Sequence, residues 1–329
     1  MQIAVLAGGV GGSRFVQGVR RAYPDATVTV IVNTADDITL HGLHISPDLD
    51  TMMYSLGGGI DPERGWGRAE ETWRVGGELA AYGVEPSWFG LGDLDLATHL
   101  VRTQMLDAGY PLSTVTQALC TRWLRDADQR AQPVQLVPMT DDRVETHVVI
   151  DDPAAASGRR AVHFQEYWVK LHAEPEARQV LQVGIDKCRP APGVLEAIST
   201  AELVLLAPSN PVVSIGPVLG VPGITAAIRA AKAPVVGFSG IIGGAPVLGM
   251  AHRLLPAIGV DVDAGSVGLH YGARPADGVL DAWIVDTADA GALPRLREHG
   301  LIAASTDLIM SEPAATADFI QHGVKLATE

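Results

Sequence analysis

Four glycines in five residues, Gly8-Gly9-Val10-Gly11-Gly12, follow directly on the apolar run QIAVLA at 2–7. A strand that runs through glycines into a helix N-terminus exposes backbone N–H groups to an anion, and the missing Cβ atoms let a phosphate come close. The loop is not a dinucleotide fingerprint. Counted from Gly9, Gly11 fits the second position of G-x-G-x-x-G, but Arg14 stands at the third. No Gly-Lys-Ser/Thr follows, so it is not a Walker A loop either. A tight βα turn without a ligand needs fewer glycines. Beyond the next strand come Asp36-Asp37 and then Asp48 and Asp50. Carboxylates beside phosphates repel them. A hard cation such as Mg2+ removes that conflict by taking one or two carboxylates together with phosphate oxygens. The alternative is that these acids cap helices, with Asp48 or Asp50 as the N-cap before Thr51-Met52-Met53; spacing leaves both readings open. His41 and His44 lie in the same loop without the further nitrogen or sulfur ligands of a zinc site, and read as polar loop histidines.

Two further loops have similar chemistry. Pro208-Ser209-Asn210-Pro211 follows the run LVLLA at 203–207, and Gly240-Ile241-Ile242-Gly243-Gly244 follows PVVGF at 234–238. Small, polar, glycine-rich loops after three strands fit one long crevice for an extended phosphorylated ligand, although ordinary turn chemistry places the same residues there. Gly92-Asp93-Leu94-Asp95 precedes Ala97-Thr98-His99, and Asp95 reads as an N-cap. Trp66, Trp73 and Trp88 lie between that loop and Asp50; one of them would stack on an aromatic substrate, and packing accounts for each taken singly. No G-x-S-x-G elbow is present and neither cysteine lies in an activating loop, which favours direct transfer assisted by a metal over a covalent intermediate.

These loops need a scaffold. Strands are predicted at 2–7, 27–32, 203–207, 234–238 and 282–286, with helices from near Ser13 and around 50–56, 69–82, 95–108, 112–126, 223–231, 246–258 and 313–326. The short runs 134–138, 144–150 and 161–164 read as an antiparallel segment. The fold class is α/β: a Rossmann-like three-layer fold with a mostly parallel sheet, plus a smaller mixed α/β insertion. The chain reads as one domain, with its core at 1–110 and 193–329 and the insertion at about 111–192. The 24 basic against 38 acidic residues leave a formal charge of −14, which argues against nucleic acid or an anionic membrane as partner. No apolar run approaches the ~18 residues of a membrane span. The N-terminus opens on a strand without a basic region, so no signal peptide is expected. Cys120 and Cys188 build no disulfide framework and read as reduced thiols of a cytoplasmic protein.

The blocks AGGVGG at 7–12, NTADD at 33–37, SPDLDT at 46–51, LGDLDLATH at 91–99, HFQEYW at 163–168, APSNPVVSIGP at 207–217 and IIGGAPVLG at 241–249 together resemble the 2-phospho-L-lactate transferase family, in its mycobacterial-type branch. The resemblance runs over nearly the whole chain. It implies an enzyme of coenzyme F-420 biosynthesis, Mg2+-dependent and homodimeric. Such an enzyme moves a phosphoenolpyruvyl or 2-phospholactyl group from a GDP-linked donor to the terminal ribityl hydroxyl of the deazaflavin FO, releasing GMP. Carried onto this chain, the resemblance gives Gly8, Gly9, Val10, Gly11 and Gly12 to the donor diphosphate, and Ser209 and Asn210 to the nucleotide. It gives Asp37 and Asp50 to Mg2+, with Asp50 also the catalytic group near the acceptor; Trp66 and Asp93 are the further candidates on the acceptor side. Two positions depart from the family pattern: Leu94 stands where Arg is usual and Gly240 where Pro is frequent, so no cationic contact from position 94 is carried over.

The implied chemistry is in-line attack of the FO hydroxyl on the distal donor phosphorus, with Asp50 accepting or orienting the hydroxyl proton. Two other classes use similar parts. A nicotinamide oxidoreductase would explain the first βαβ unit, but lacks the third glycine. A non-enzymatic nucleotide-sugar-binding regulator would share the fold, but has no need of the second acidic loop at 46–51.

Overall fold

The computed structural model describes residues 1–125 and 133–328. Its strands are β1 (Gln2–Ala7), β2 (Thr27–Val32), β3 (Ile38–Leu40), β4 (Leu43–Ile45), β5 (Val134–Pro138), β6 (Glu145–Asp151) and β7 (Arg159–His163). The second half adds β8 (Gln179–Val183), β9 (Leu203–Leu206), β10 (Val235–Phe238), β11 (Ile241–Ile242), β12 (Ala245–Pro246), β13 (Ala282–Asp286) and β14 (Ile302–Thr306). The helices that concern the site are α1 (Gly9–Ala22), α2 (Pro47–Leu56), α3 (Arg74–Ala81), α4 (Asp93–Asp107) and α5 (Leu112–Trp123).

Seven strands form one sheet in the order β14-β13-β10-β9-β1-β2-β5, and every pairing in it is parallel. This is the Rossmann-like α/β architecture expected from the alternation of strands and helices. The cause is visible along β1. Ile3, Val5 and Ala7 enter one core cluster, whereas Ala4 and Leu6 enter the other. A strand with apolar side chains on both faces must be covered on both faces, and helices do so. From β1 the chain winds outward through β2 to β5; from β9 it winds the opposite way through β10 and β13 to β14. The order therefore reverses between β1 and β9, and a crevice opens there at the carboxyl ends of the strands.

Close helix packing closes one face. Phe15 of α1, Phe238 of β10 and Phe319 of the C-terminal helix Pro313–Thr328 stack with centroids 5.1 to 6.3 Å apart. A Cβ at Gly18 would lie 2.2 Å from Thr316 Cγ2, so the Thr316 side chain of the C-terminal helix packs directly on the α1 backbone. Gly18→Val is expected to lower unfolding stability by ~2 kcal/mol or more through overpacking. Thermal denaturation checks this, and an unchanged melting temperature would remove the reading of that contact.

Some elements differ from the sequence expectations. Residues 134–138 do not join an antiparallel segment but form β5, the parallel edge of the main sheet. A short run such as VQLVP has the same pattern in either setting, and Pro138 is tolerated because the strand is at an edge. The antiparallel sheet, in the order β7-β6-β8, lies within 145–183. The helix expected at 246–258 is only Ala251–Leu254 with a 3-10 turn after it; β12 takes its start, and Gly249 at φ +76 interrupts the rest. Strand β14, with the weakly apolar sequence IAAST, goes unread in the sequence. Among the described residues no single helix is long and apolar enough to cross a membrane. The bent pair Pro211–Gly220 and Ile224–Ala230 is apolar because Val212, Val213, Ile215, Val218, Ile224 and Ile228 belong to the core.

Candidate active site at the carboxyl edge of the sheet

Helix α1 begins at Gly9, not near Ser13, so Gly9, Val10 and Gly11 lie in its first turn and their N–H groups are among those a helix leaves without an internal partner. Gly8 precedes it as N-cap with extended backbone, φ −157. The Gly8 N–H donates to Ser209 Oγ at 3.1 Å and the Ser209 hydroxyl donates back to the Gly8 carbonyl at 2.8 Å. That double bond ties the loop after β1 to the loop after β9 across the reversal of strand order. A Cβ at Gly8 would stand 2.4 Å from Asp48 Oδ2, and one at Gly12 would stand 2.7 Å from Ser209 Oγ. The glycines are there because side-chain oxygens come up to the backbone. Asn210 caps the next helical turn, its Oδ1 accepting from Val212 N at 2.9 Å. Beside it a cleft is lined by Pro208, Asn210, Phe238, Gly240, Tyr271 and Trp283.

The loop after β2 and the start of α2 supply the carboxylates. Neither Asp48 nor Asp50 is an N-cap: Ser46 holds that position, Pro47 begins the helix, and the Ser46 hydroxyl donates to Asp37 Oδ2 at 2.6 Å. His44 Nε2 lies 2.9 Å from the same Asp37 oxygen. Asn33 Nδ2 donates to Asp48 Oδ2 at 2.9 Å, and the Gly9 N–H also reaches Asp48. Asp36 Oδ1 and Asp37 Oδ1 are buried with no hydrogen-bond partner. Burial, with the charges of Asp48 and Asp37 added, pushes Asp36 well above the usual carboxylate range. Asp48 is pushed up to about 6, first by burial and also by Asp37. Three neighbouring buried carboxylates with two orphaned oxygens form the kind of group that a hard cation neutralises.

Asp48 and Asp50 are two residues apart on a helix, so they face different ways. Asp48 faces α1, whereas Asp50 faces α4. There Arg102 Nη1 donates to Asp50 Oδ2 at 3.0 Å and Arg102 Nη2 donates to Asp50 Oδ1. Burial raises the Asp50 pKa, opposed by Arg102 and His99. Asp50, Asp95 and His99 each place one possible ligand atom within 4.8 Å of the others, a potential metal-binding trio among the described residues. Arg102 already brings a cation to it.

The acceptor-side candidates are placed differently. Helix α4 starts at Asp93 with Gly92 as N-cap, so Asp95 is in the first turn instead of capping it. Asp93 accepts from the Thr72 hydroxyl at 2.6 Å and from the Arg74 and Val75 N–H groups at 3.1 and 3.0 Å, and so satisfies the start of α3. Trp66 is 49% exposed with Arg64 5.5 Å from its ring centroid. Its neighbour Gly65 overlies α1, since a Cβ there would stand 3.4 Å from Val10 Cγ1. The structure thus brings together Gly8–Gly12 with Ser209, and links Asp37 to Asp50 through Arg102, whose Nη1 also lies 3.4 Å from the His44 carbonyl. It does not bring Asp93 or Trp66 into hydrogen-bond or ring contact with these groups. Sequence reasoning missed Asp48 as a neighbour of the glycine turn, His44 as a partner of Asp37, and Arg102 altogether. The signal for the last was Asp95, His99 and Arg102 at i, i+4 and i+7 in a predicted helix.

The pattern of the family described as 2-phospho-L-lactate transferase CofD matches residues 3–319. The chain belongs to that family. A phosphoenolpyruvate transferase of Nocardia farcinica is 55% identical over 99% of this chain and 95% of its own. One of Streptomyces coelicolor is 56% identical over 100% of this chain and 99% of its own. One of Mycobacterium sp. (strain JLS) is 51% identical over 99% of each. The crystal structure of protein BH3568 from Bacillus halodurans shares the fold, with TM-score 0.62 at 17% identity, covering 98% of this chain and 99% of that one. In this member of the 2-phospho-L-lactate transferase family, the sequence blocks that resemble the family converge. AGGVGG and APSNP meet where the strand order reverses, while NTADD and SPDLDT form the carboxylate cluster. HFQEYW begins at His163, whose Nε2 donates to the Asp37 carbonyl at 3.1 Å.

Proposed function

We propose that this chain transfers a phosphoenolpyruvyl or 2-phospholactyl group from a GDP-linked donor to the ribityl hydroxyl of FO. GMP is released, and the product is dehydro-F-420-0 or F-420-0. The observation that carries the reading is the glycine turn of α1, latched to Ser209, beside buried carboxylates with two unpartnered oxygens. The names of the relatives agree with it. A cation between an anionic donor and an acidic pocket relieves their repulsion, and a donor set of carboxylate oxygens suits Mg2+. Asp37, through its unpartnered Oδ1, and Asp50 are the residues that would hold it. Arg102 donates to both oxygens of the Asp50 carboxylate, so Asp50 would hold the ion through their remaining lone pairs. When bound, Mg2+ would offset charge on the phosphoryl oxygens and on the leaving phosphate.

The protein's own groups do the rest. The N–H groups of Val10 and Gly11, in the first turn of α1, bind the donor phosphates, helped by the helix dipole. Ser209 fixes that turn, and Asn210 fixes the border of the adjoining cleft. Asp50 receives or orients the proton of the attacking hydroxyl. The test is incubation with FO, Mg2+ and each synthesised donor, with products read by mass spectrometry. The expected result is a product with the mass of dehydro-F-420-0 or F-420-0, abolished by EDTA and restored by Mg2+. No product with either donor overturns the reading.

A further inference from the structure

Helix α4 turns charge inward and apolar residues outward. Asp95, Thr98, His99 and Arg102 share one face and meet Asp50 and Tyr54 of α2, whereas Leu100 and Val101 on the other side are 49% and 44% exposed. The contacts form a line. The Tyr54 hydroxyl donates to Asp95 Oδ1 at 2.5 Å, and Asp95 Oδ2 lies 3.4 Å from His99 Nε2. His99 Nδ1 lies 3.2 Å from Arg102 Nη1, and Arg102 grips both oxygens of Asp50. Arginine only donates, so His99 Nδ1 is the acceptor, while its buried Nε2 makes no hydrogen bond and has Asp95 as a neighbour at ion-pair distance. The side chains of Arg102 and His99 are 2% and 1% exposed. A buried ion pair is a poor source of stability compared with apolar packing of the same volume, so this face is better explained by orientation.

We propose that Arg102 is a positioning residue for the transfer: its fork fixes the carboxylate of Asp50, and the Asp95–His99 pair fixes Arg102. The inference rests on the reading of Asp50 as the group at the acceptor hydroxyl. A lysine keeps the charge but cannot bind two oxygens in parallel. Arg102→Lys is therefore expected to lower kcat ~10–100-fold, the scale of a misplaced reacting group. The KM values for donor and FO should stay within ~2-fold, because the glycine turn and Ser209 are untouched. In an Asp50→Asn background, Arg102→Lys should cost no more than ~3-fold further, since residues acting as a unit are not additive. Arg102→Met alone leaves Asp50 buried and unpaired and is expected to fold poorly. The double variant Asp50→Asn with Arg102→Met carries neither charge and should melt within ~3 °C of wild type.

Wild-type kcat in Arg102→Lys, or effects of Arg102→Lys and Asp50→Asn that multiply, would overturn the proposal while the wild-type reaction still stood. A double variant that melts far below wild type would overturn it without any assay, by showing the pair to be structural. Absence of product from the wild-type enzyme instead counts against the proposed transfer, and the melting comparison still decides the role of the pair.

Discussion

Asp50→Asn is expected to lower turnover at least ~100-fold, the usual scale for losing a general base or a metal ligand. The amide keeps the shape of the carboxylate but neither takes up a proton nor neutralises a cation. The same substitution leaves Arg102, 2% exposed, without its counter-charge. Breaking one side of a buried pair costs about 3–5 kcal/mol, so a lower melting temperature should accompany the lost activity. Steady-state kinetics at saturating donor and FO, on protein held well below its melting temperature, separates the two effects. Near-normal turnover would sink the catalytic assignment even if the melting temperature fell.

Gly8→Ala should damage the donor side as clearly. The backbone at Gly8 is extended, so alanine meets no conformational strain there, and the whole effect is steric. The new Cβ would stand 2.4 Å from Asp48 Oδ2 and 2.9 Å from Ser214 Cβ. Asp48 must swing away and give up Asn33 Nδ2 and the Gly9 N–H. The first turn of α1 then loses its register against Ser209. Donor affinity is expected to fall ~10-fold or more, equivalent to ~1.4 kcal/mol of misfit. The KM for FO should change little. Calorimetric titration with GDP and donor-dependent kinetics check this, and wild-type affinity would show that the close approach of Asp48 has no bearing on the phosphate turn.

The parts legible in the sequence were those whose signal is local. TVTVIV, LVLL and AWIVD are apolar runs that fit a buried strand and little else, and they are β2, β9 and β13. The glycine turn and Asp37 were legible for the same reason, as residue types that sit badly elsewhere. Strand β5 is not legible as part of the main sheet because its partner, β2, lies about a hundred residues earlier and a short run does not name its neighbour. The start of α2 decided more than a boundary. Only when Pro47 begins the helix does it follow that Asp48 and Asp50 point to different neighbours. Arg102 was hidden because its partner is 52 residues away and an arginine in a helix is ordinarily solvated. Asp93 reads from sequence as a loop acid, yet hydrogen bonds from the Thr72 hydroxyl and from the Val75 and Arg74 N–H groups pull its pKa down and engage the carboxylate.

The placement of β1 also matters during synthesis. It precedes the other described strands and lies in the interior of the sheet, but one of its two neighbours is β9, with Ile3 facing Leu203. At ~5–20 residues per second a ribosome needs roughly 10–40 s to make the intervening stretch. Throughout that interval β1 has one open edge lined with apolar residues, the kind that recruits other chains. Ser209 reaches Gly8 only later still, so the glycine turn of the nascent N-terminal half lacks its tie to the loop after β9. Soluble yield of this protein should therefore depend on how the half-made sheet is shielded, and added chaperone during expression should raise it.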